Sequence, residues 1–179
     1  RLVAKYGGVA GTNAGGFNDE NGRGNGGVPQ GLVISGGALL HTAREGERYN
    51  VVGFDADQIL HVGTMTADEA LAQGLTDAVS FRTHDGLASS LIINGEVQSK
   101  NLGGGVNPRT AIGQISEGHY LLVVSDGRTK ESTGLSLRQL AELMQSLGAQ
   151  VAYNLDGGGS STMVFQGRVV NNPTTNGRS

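Results

Sequence analysis

Residues 151–162 read VAYNLDGGGSST, and this segment divides into an apolar strand and a polar, glycine-rich turn. Residues 151–155 have the short, mostly apolar character of a strand in a protein core. Residues 156–160 follow without a spacer and contain three consecutive glycines, which is typical of a tight turn. The segment therefore predicts a buried strand that places the Asp156 carboxylate at the end of a sheet.

The same turn is a candidate site for an anion or a sugar. Glycines let backbone N–H groups approach an anion closely, and consecutive N–H groups form a concave anion-binding surface. The alternative is a tight turn in which Asp156 hydrogen-bonds its own backbone, and for an Asp-Gly pair alone that alternative is the more common. With three glycines and three hydroxyls we favour a phosphate or sugar site. The candidate donors are Gly157, Gly158, Gly159, Ser160, Ser161 and Thr162.

The composition excludes several classes of function. The 179 residues carry a formal net charge of −3, which argues against a general affinity for nucleic acid or anionic membranes. There is no cysteine, which excludes disulfides, thiolate metal sites and cysteine nucleophiles. No apolar run approaches the roughly 20 residues of a membrane span. The 31 glycines exceed the usual share of roughly 7% and predict many tight turns between strands.

Outward from this segment, apolar runs and turn signals alternate along the chain. Asn94-Gly95 is the strongest hairpin signal, and Gly36-Gly37 marks a second hairpin. Residues 120–125 are apolar without alternation, as expected of a strand buried on both faces. The other predicted strands are residues 51–54, 58–62, 110–115 and 161–165.

Two segments carry helix signals. In residues 136–147 the apolar side chains recur at helical spacing, and Ser136 with Gln139 fits a capping box. Residues 66–73 predict a shorter helix capped by Thr66. Together these patterns predict one α+β domain over residues 1–179, with a strand-rich mixed sheet, one or two helices, and a barrel-like arrangement as an option. Residues 18–28 are expected to form an exposed loop.

The polar motifs follow one another in an order that resembles a known family. They are PRTAIG at 108–113, SDGR at 125–128, NLDGGGSST at 154–162, and then Asn172-Pro173 and Arg178. NAGGF at 13–17 is a less specific match. The series resembles the phosphodiester glycosidase family, specifically its bacterial members similar to N-acetylglucosamine-1-phosphodiester alpha-N-acetylglucosaminidase.

The resemblance implies a hydrolase that cleaves the glycosidic C–O bond of a sugar-1-phosphodiester, such as an N-acetylglucosamine-1-phosphodiester. It implies a phosphorylated glycan as the partner, a role in bacterial envelope glycopolymer or exopolysaccharide metabolism, and a secreted or cell-envelope location. It also implies that one or more terminal strands of the domain lie outside this chain. Neither a nucleic acid partner nor a membrane span is expected, and the sequence does not indicate an oligomeric state.

The resemblance also points to phosphate- and sugar-binding residues outside the glycine turn. Arg109 and Thr110 fall in PRTAIG, and a guanidinium is suited to bidentate contact with phosphate. A salt-bridged surface arginine is the alternative, and the same ambiguity applies to Arg178. Asn13 is a candidate hydrogen-bond partner of the sugar or, alternatively, a turn residue before Gly15-Gly16.

Asp156 and Asp126 form the candidate catalytic pair. Asp126 follows the predicted strand 120–125, although an aspartate before glycine also forms turns. Glycosidases commonly use two carboxyl groups. We expect Asp156 to orient the attacking water or to stabilise the oxocarbenium-like centre. We expect Asp126 to bind sugar hydroxyls or to act as the second carboxyl group.

No cofactor is expected. The four histidines lack the spacing of a metal site, and the sequence offers no support for a divalent ion on Asp156. Two other functions remain open at this point. One is a non-catalytic module that binds phosphorylated glycans, and the other is a phosphodiesterase that cleaves P–O.

Overall fold

Short antiparallel strands dominate the part of the chain that the structure, a computed structural model, describes. These residues are 2–19, 26–81, 89–98, 102–103 and 105–174. The strands are β1 Ala10–Thr12, β2 Leu32–Ser35, β3 Ala38–Thr42, β4 Tyr49–Asp55, β5 Leu60–Met65, β6 Leu75–Ser80, β7 Ser90–Ile93, β8 Glu96–Val97, β9 Arg109–Ser116, β10 His119–Ser125, β11 Val151–Asn154, β12 Met163–Phe165 and β13 Arg168–Val169. The helices are α1 Leu2–Lys5, α2 Ala67–Ala72 and α3 Leu137–Ser146.

The strands form three sheets. The first has the order β3-β2-β6-β4-β5, the second β10-β9-β11-β7-β8, and the third β1-β12-β13. All the described strand pairs are antiparallel, and the described strands do not close into a barrel. The predicted strand-rich α+β class is confirmed.

The two five-stranded sheets pack against each other and carry the longer helices on their outer faces. Successive side chains of a strand point to opposite faces, so Val51 and Val52 of β4 enter different clusters. Val51 joins the cluster beneath α2, whereas Val52 packs with Tyr153 and Leu155 of the second sheet. Helix α3 covers the other face of that second sheet. The result is a four-layer arrangement of helix, sheet, sheet and helix.

The buried Tyr153 hydroxyl ties the two sheets together. It donates to the Asn50 carbonyl oxygen at 2.7 Å and accepts from the Phe81 N–H at 3.0 Å. Burial raises the pKa of Tyr153, so the hydroxyl keeps its proton and acts as a donor. Tyr153 lies on β11, three residues before Asp156, and therefore anchors the strand that leads into the glycine turn.

The local signals in the sequence give helices α2 and α3 and the hairpin between β7 and β8 correctly, whereas the four-residue helix α1 was not predicted. Capping boxes form at Thr66 with Glu69 and at Ser136 with Gln139. Asn94 and Gly95 have φ of 52° and 77°, the left-handed conformation that a tight hairpin turn requires.

Two features of the sheets differ from the sequence prediction. Residues 120–125 were expected to form a strand buried on both faces, and this is wrong. Strand β10 lies at the edge of its sheet, and every one of its residues is at least partly exposed. Its neighbour β9 occupies the interior instead. Strand β6, the middle strand of the first sheet, was not predicted, since its residues LTDAVS carry a weak apolar pattern.

Among the described residues, no helix has both the length and the apolar character needed to cross a membrane.

The packing of α3 predicts that substitution by alanine lowers the free energy of unfolding by very different amounts at two leucines of this helix. Leu140 is fully buried, whereas Leu143 is 37% exposed. We expect Leu140→Ala to lower the free energy of unfolding by about 2–5 kcal/mol, because it leaves a cavity in the core. Leu143→Ala is the matched control, and we expect it to lower the free energy of unfolding by less than about 1 kcal/mol. Urea unfolding checks both values, and equal losses would contradict this packing.

Candidate functional site

Four strand ends meet beside the glycine turn. Strand β1 ends at Thr12, β10 ends at Ser125 and β11 ends at Asn154, whereas β9 begins at Arg109. Polar residues follow or open each of these strands. The fold therefore brings Asn13, Asp126 and Asp156 to the same edge of the structure.

The Asn13 carboxamide connects three of these segments. Its Nδ2 donates to the Asp156 carbonyl oxygen at 2.6 Å. Its Oδ1 accepts from the Thr110 hydroxyl at 2.9 Å and from the Thr162 N–H at 3.1 Å. Both polar atoms of Asn13 therefore bind the protein itself, so the geometry supports Asn13 and Thr110 as residues that hold the site together.

Asp156 is held at both its backbone and its side chain. Its N–H donates to the Ala14 carbonyl oxygen at 3.0 Å, and its carboxyl accepts from the Ser160 hydroxyl and the Gly157 N–H. Partial burial raises the pKa of Asp156 above the ordinary value of 3.8, and the negative charge of Asp19 raises it further. The two hydrogen bonds oppose this shift. Asp156 is thus a half-buried carboxyl group beside a second carboxylate, Asp19, which sequence reasoning had missed.

The N–H groups of the glycine turn are mostly committed to the protein. The Gly158 N–H donates to the Pro108 carbonyl oxygen at 2.9 Å, and the Ser160 N–H donates to the Gly157 carbonyl oxygen at 3.1 Å. The Gly157 N–H contacts the Asp156 carboxyl. Only the Gly159 N–H of residues 157–160 has no partner among the described residues. The other N–H groups of residues 157–160 have protein acceptors because the backbone closes a 3₁₀ turn at Gly158–Ser160.

The glycines instead permit close packing of backbone against backbone. A Cβ on Gly157 would lie 2.9 Å from the Pro108 carbonyl oxygen, and one on Gly127 would lie 2.8 Å from the Pro108 nitrogen. A Cβ on Gly134 would lie 2.3 Å from the Asn107 backbone. Real Cβ atoms do not approach so closely, so these positions require glycine. The turns after β10 and β11 thereby close around Asn107 and Pro108.

Arg109 is 8% exposed, and its guanidinium binds backbone carbonyl oxygens. Nε donates to Leu135 at 3.0 Å, and Nη2 donates to Gly105 at 2.8 Å. These contacts fix the segment before β9 against the segment before α3. The geometry supports a positioning role for Arg109 beside the site.

Asp126 accepts hydrogen bonds from the segment that follows β13 and holds it in place. Its Oδ1 accepts from Asn171 Nδ2 at 3.1 Å and from the Asn172 N–H at 2.8 Å. Asn171 also donates to the Ser161 carbonyl oxygen and accepts from the Met163 N–H. Sequence reasoning had missed Asn171, because an asparagine in a polar stretch gives no signal of long-range contacts.

The remaining candidate residues lie in different surroundings. The Ser161 hydroxyl is buried without a hydrogen-bond partner among the described residues, as are both side-chain polar atoms of Asn154. Arg178 lies outside the described residues. Within the described ranges, no three histidine, aspartate or glutamate side chains are close enough together to hold a metal ion.

Comparisons with known proteins identify relatives of this chain. The model of the family described as phosphodiester glycosidase matches residues 6–179. An uncharacterised SPbeta prophage-derived protein of Bacillus subtilis is 41% identical over 66 residues, which cover 37% of this chain and 10% of that protein. The mouse N-acetylglucosamine-1-phosphodiester alpha-N-acetylglucosaminidase is 41% identical over 69 residues, or 38% of this chain and 13% of the mouse protein.

A solved structure shares the fold over most of this chain. It is the pro-peptide-inhibited catalytic domain of the zebrafish N-acetylglucosamine-1-phosphodiester alpha-N-acetylglucosaminidase, with a TM-score of 0.73 and 24% identity. The match covers 93% of this chain and 56% of the zebrafish chain. This chain therefore spans little more than half the length of that relative.

Removal of the Asn13 carboxamide is expected to destabilise the site. Asn13→Ala deletes three hydrogen bonds and leaves their partners unpaired, so we expect the free energy of unfolding to fall by about 2–4 kcal/mol. Asn13→Asp retains an acceptor for Thr110 and Thr162, but it places a carboxylate oxygen against the Asp156 carbonyl oxygen. We therefore expect the free energy of unfolding to fall in this variant too. The control is Asn18→Ala, which removes an exposed side chain. Urea unfolding measures all three, and an Asn13→Ala loss no larger than that of the control would refute the role of Asn13.

Proposed function

The chain belongs to the phosphodiester glycosidase family, and we propose that it hydrolyses the bond between the anomeric carbon of a sugar and a phosphodiester. The observation that carries the proposal is the half-buried Asp156 carboxyl at the end of the buried strand β11. Burial and the neighbouring Asp19 raise the pKa of this carboxyl. Perturbed carboxyl groups of this kind are frequent at catalytic sites, because a higher pKa makes a stronger base.

The chemistry of the leaving group fits this arrangement. When the glycosidic C–O bond breaks, its electron pair goes to the phosphate oxygen, and a phosphomonoester departs. A phosphomonoester is a much weaker base than an alkoxide, so strong acid assistance is not needed. The demand is instead for a base that takes a proton from the attacking water, a contribution of roughly 10²–10⁴ in rate. We assign this role to Asp156, whose carboxyl is oriented by the Ser160 hydroxyl and the Gly157 N–H.

The other candidate residues have supporting roles in this mechanism. Asn13 and Thr110 hold the Asp156 backbone in place, and Arg109 fixes the loop in front of β9. Asp126 holds Asn171 against the turn through its Oδ1 atom. These contacts support positioning roles, with Asp19 as the carboxylate that acts on Asp156 electrostatically.

We propose an N-acetylglucosamine-1-phosphodiester as the substrate class, in the metabolism of a bacterial envelope glycopolymer or exopolysaccharide. The name of the mouse relative supports the sugar. The Bacillus subtilis relative supports a bacterial setting. A secreted or cell-envelope location follows from that proposal, because envelope glycopolymers are found there.

The test is Asp156→Asn, with the methyl ester of alpha-N-acetylglucosamine-1-phosphate as substrate and NMR as the assay. We expect release of free sugar by the parent chain and a loss of roughly 10²–10⁴-fold in turnover for the variant. The control is Asp68→Asn, an exposed carboxylate on α2, which should leave turnover unchanged. Full turnover by Asp156→Asn would refute the assignment.

The same variant is expected to be more stable than the parent at pH 7. The pKa of Asp156 is raised in the folded chain. The Asp156 carboxyl group therefore binds a proton more tightly in the folded chain than in the unfolded chain. The contribution of Asp156 to stability is therefore present below pH 3.8 and is lost as pH rises through the folded pKa. Thermal unfolding from pH 3 to pH 8 should show this loss in the parent and not in Asp156→Asn.

A further inference from the structure

Arg128 lies against the glycine turn, although it is distant from that turn in the sequence. From the position that a Cβ on Gly158 would occupy, Arg128 Nη2 lies at 3.0 Å, and both Cζ and Nη1 lie at 3.5 Å. These similar distances place the guanidinium group over the Gly158 α-carbon. Gly158 has a φ of +60° and no side chain, so it gives the guanidinium room two residues after Asp156.

The backbone at Arg128 is held in an unfavourable conformation. Its φ is +61°, which is left-handed and costs free energy for an arginine but not for a glycine. Strain of this kind is concentrated at functional sites, where the surrounding structure maintains it. At Arg128 this backbone conformation accompanies a side chain that lies against the Asp156 turn.

The charge of Arg128 is available to an anion. Nη2 donates to the neutral Asn107 Oδ1 atom at 3.0 Å, and the side chain is exposed. Over the described ranges, the arginine that pairs with a carboxylate is Arg48, with Glu69, and no carboxylate lies within salt-bridge distance of Arg128 there. Arg109 differs, because it is buried and its guanidinium binds two carbonyl oxygens.

We propose that Arg128 binds the phosphate of the substrate, with its guanidinium held over Gly158 beside the Asp156 carboxyl group. The ligand class is a phosphodiester monoanion, whose two non-bridging oxygens match the donor fork of a guanidinium. Phosphate at this position puts the bond to be cleaved beside the Asp156 turn. The inference rests on the proposed function for the identity of the sugar, but not for the binding of phosphate.

The first experiment measures the binding of inorganic phosphate and of dimethyl phosphate by NMR titration. We expect Arg128→Gln to bind both anions roughly 10- to 100-fold more weakly than the parent, because a charge-assisted bidentate contact is lost. The affinity of Arg128→Lys should lie between that of the parent and that of Arg128→Gln, since an ammonium group keeps the charge but lacks the donor fork of a guanidinium. The control is Arg138→Gln, which removes an exposed arginine on α3. Equal binding by Arg128→Gln and the parent, or no measurable binding by the parent, overturns the proposal.

A second experiment separates this proposal from the proposed function. Each variant is assayed on the sugar-1-phosphodiester and on an aryl glycoside of the same sugar, which has no phosphate. We expect Arg128→Gln to lose kcat/KM on the diester and to keep it on the aryl glycoside. An undiminished kcat/KM on the diester overturns the role of Arg128 and leaves the glycosidase in place. Binding of phosphate through Arg128 in a chain that hydrolyses neither substrate supports the role of Arg128 and refutes the glycosidase.

Discussion

The hydrogen bonds of the Asn13 carboxamide hold the segments of the site together. Its three hydrogen bonds reach partners 97, 143 and 149 residues away in the sequence. They connect the end of β1 to β9, to the Asp156 turn and to the start of β12. One amide group thus satisfies a hydroxyl, a carbonyl oxygen and an N–H at the junction of the sheets. The unpaired groups that its loss would leave make this junction costly to open.

Glycine has a different role at this junction from the one its abundance suggests. The turns after β10 and β11 carry glycines that contact Pro108 and Asn107, where a Cβ would collide with the backbone. The N–H groups of the Asp156 turn largely close that turn on itself and on Pro108. Glycine therefore serves the close packing of backbone against backbone at this junction. At Gly158, in the Asp156 turn, the absence of a side chain leaves room for the Arg128 guanidinium.

The sequence predicts those parts of the fold whose determinants are local. Capping boxes, Asn94-Gly95 and the strand before Asp156 are short patterns that act on their own neighbourhood, and the structure has all of them. The edge position of β10 and the central position of β6 depend on pairing between distant segments. The apolar run in β10 therefore predicted a buried strand wrongly, and the weak apolar pattern of β6 gave no prediction of a strand. At the site, the position of Asp156 follows from its strand. The contacts of Arg128 with Gly158 and of Asn171 with Asp126 depend on tertiary structure, which no local pattern encodes.

We propose that the Asp156 carboxyl group at the end of β11 directs water to the anomeric carbon and not to phosphorus. Hydrolysis of a sugar-1-phosphodiester in ¹⁸O-enriched water tests it directly, because ³¹P NMR detects an ¹⁸O atom bound to phosphorus. Attack at the anomeric carbon gives a phosphomonoester product without ¹⁸O, since its oxygen atoms all come from the substrate, and this is the result we expect. A product that carries one ¹⁸O atom per phosphate would show cleavage of the P–O bond and would refute attack at the anomeric carbon.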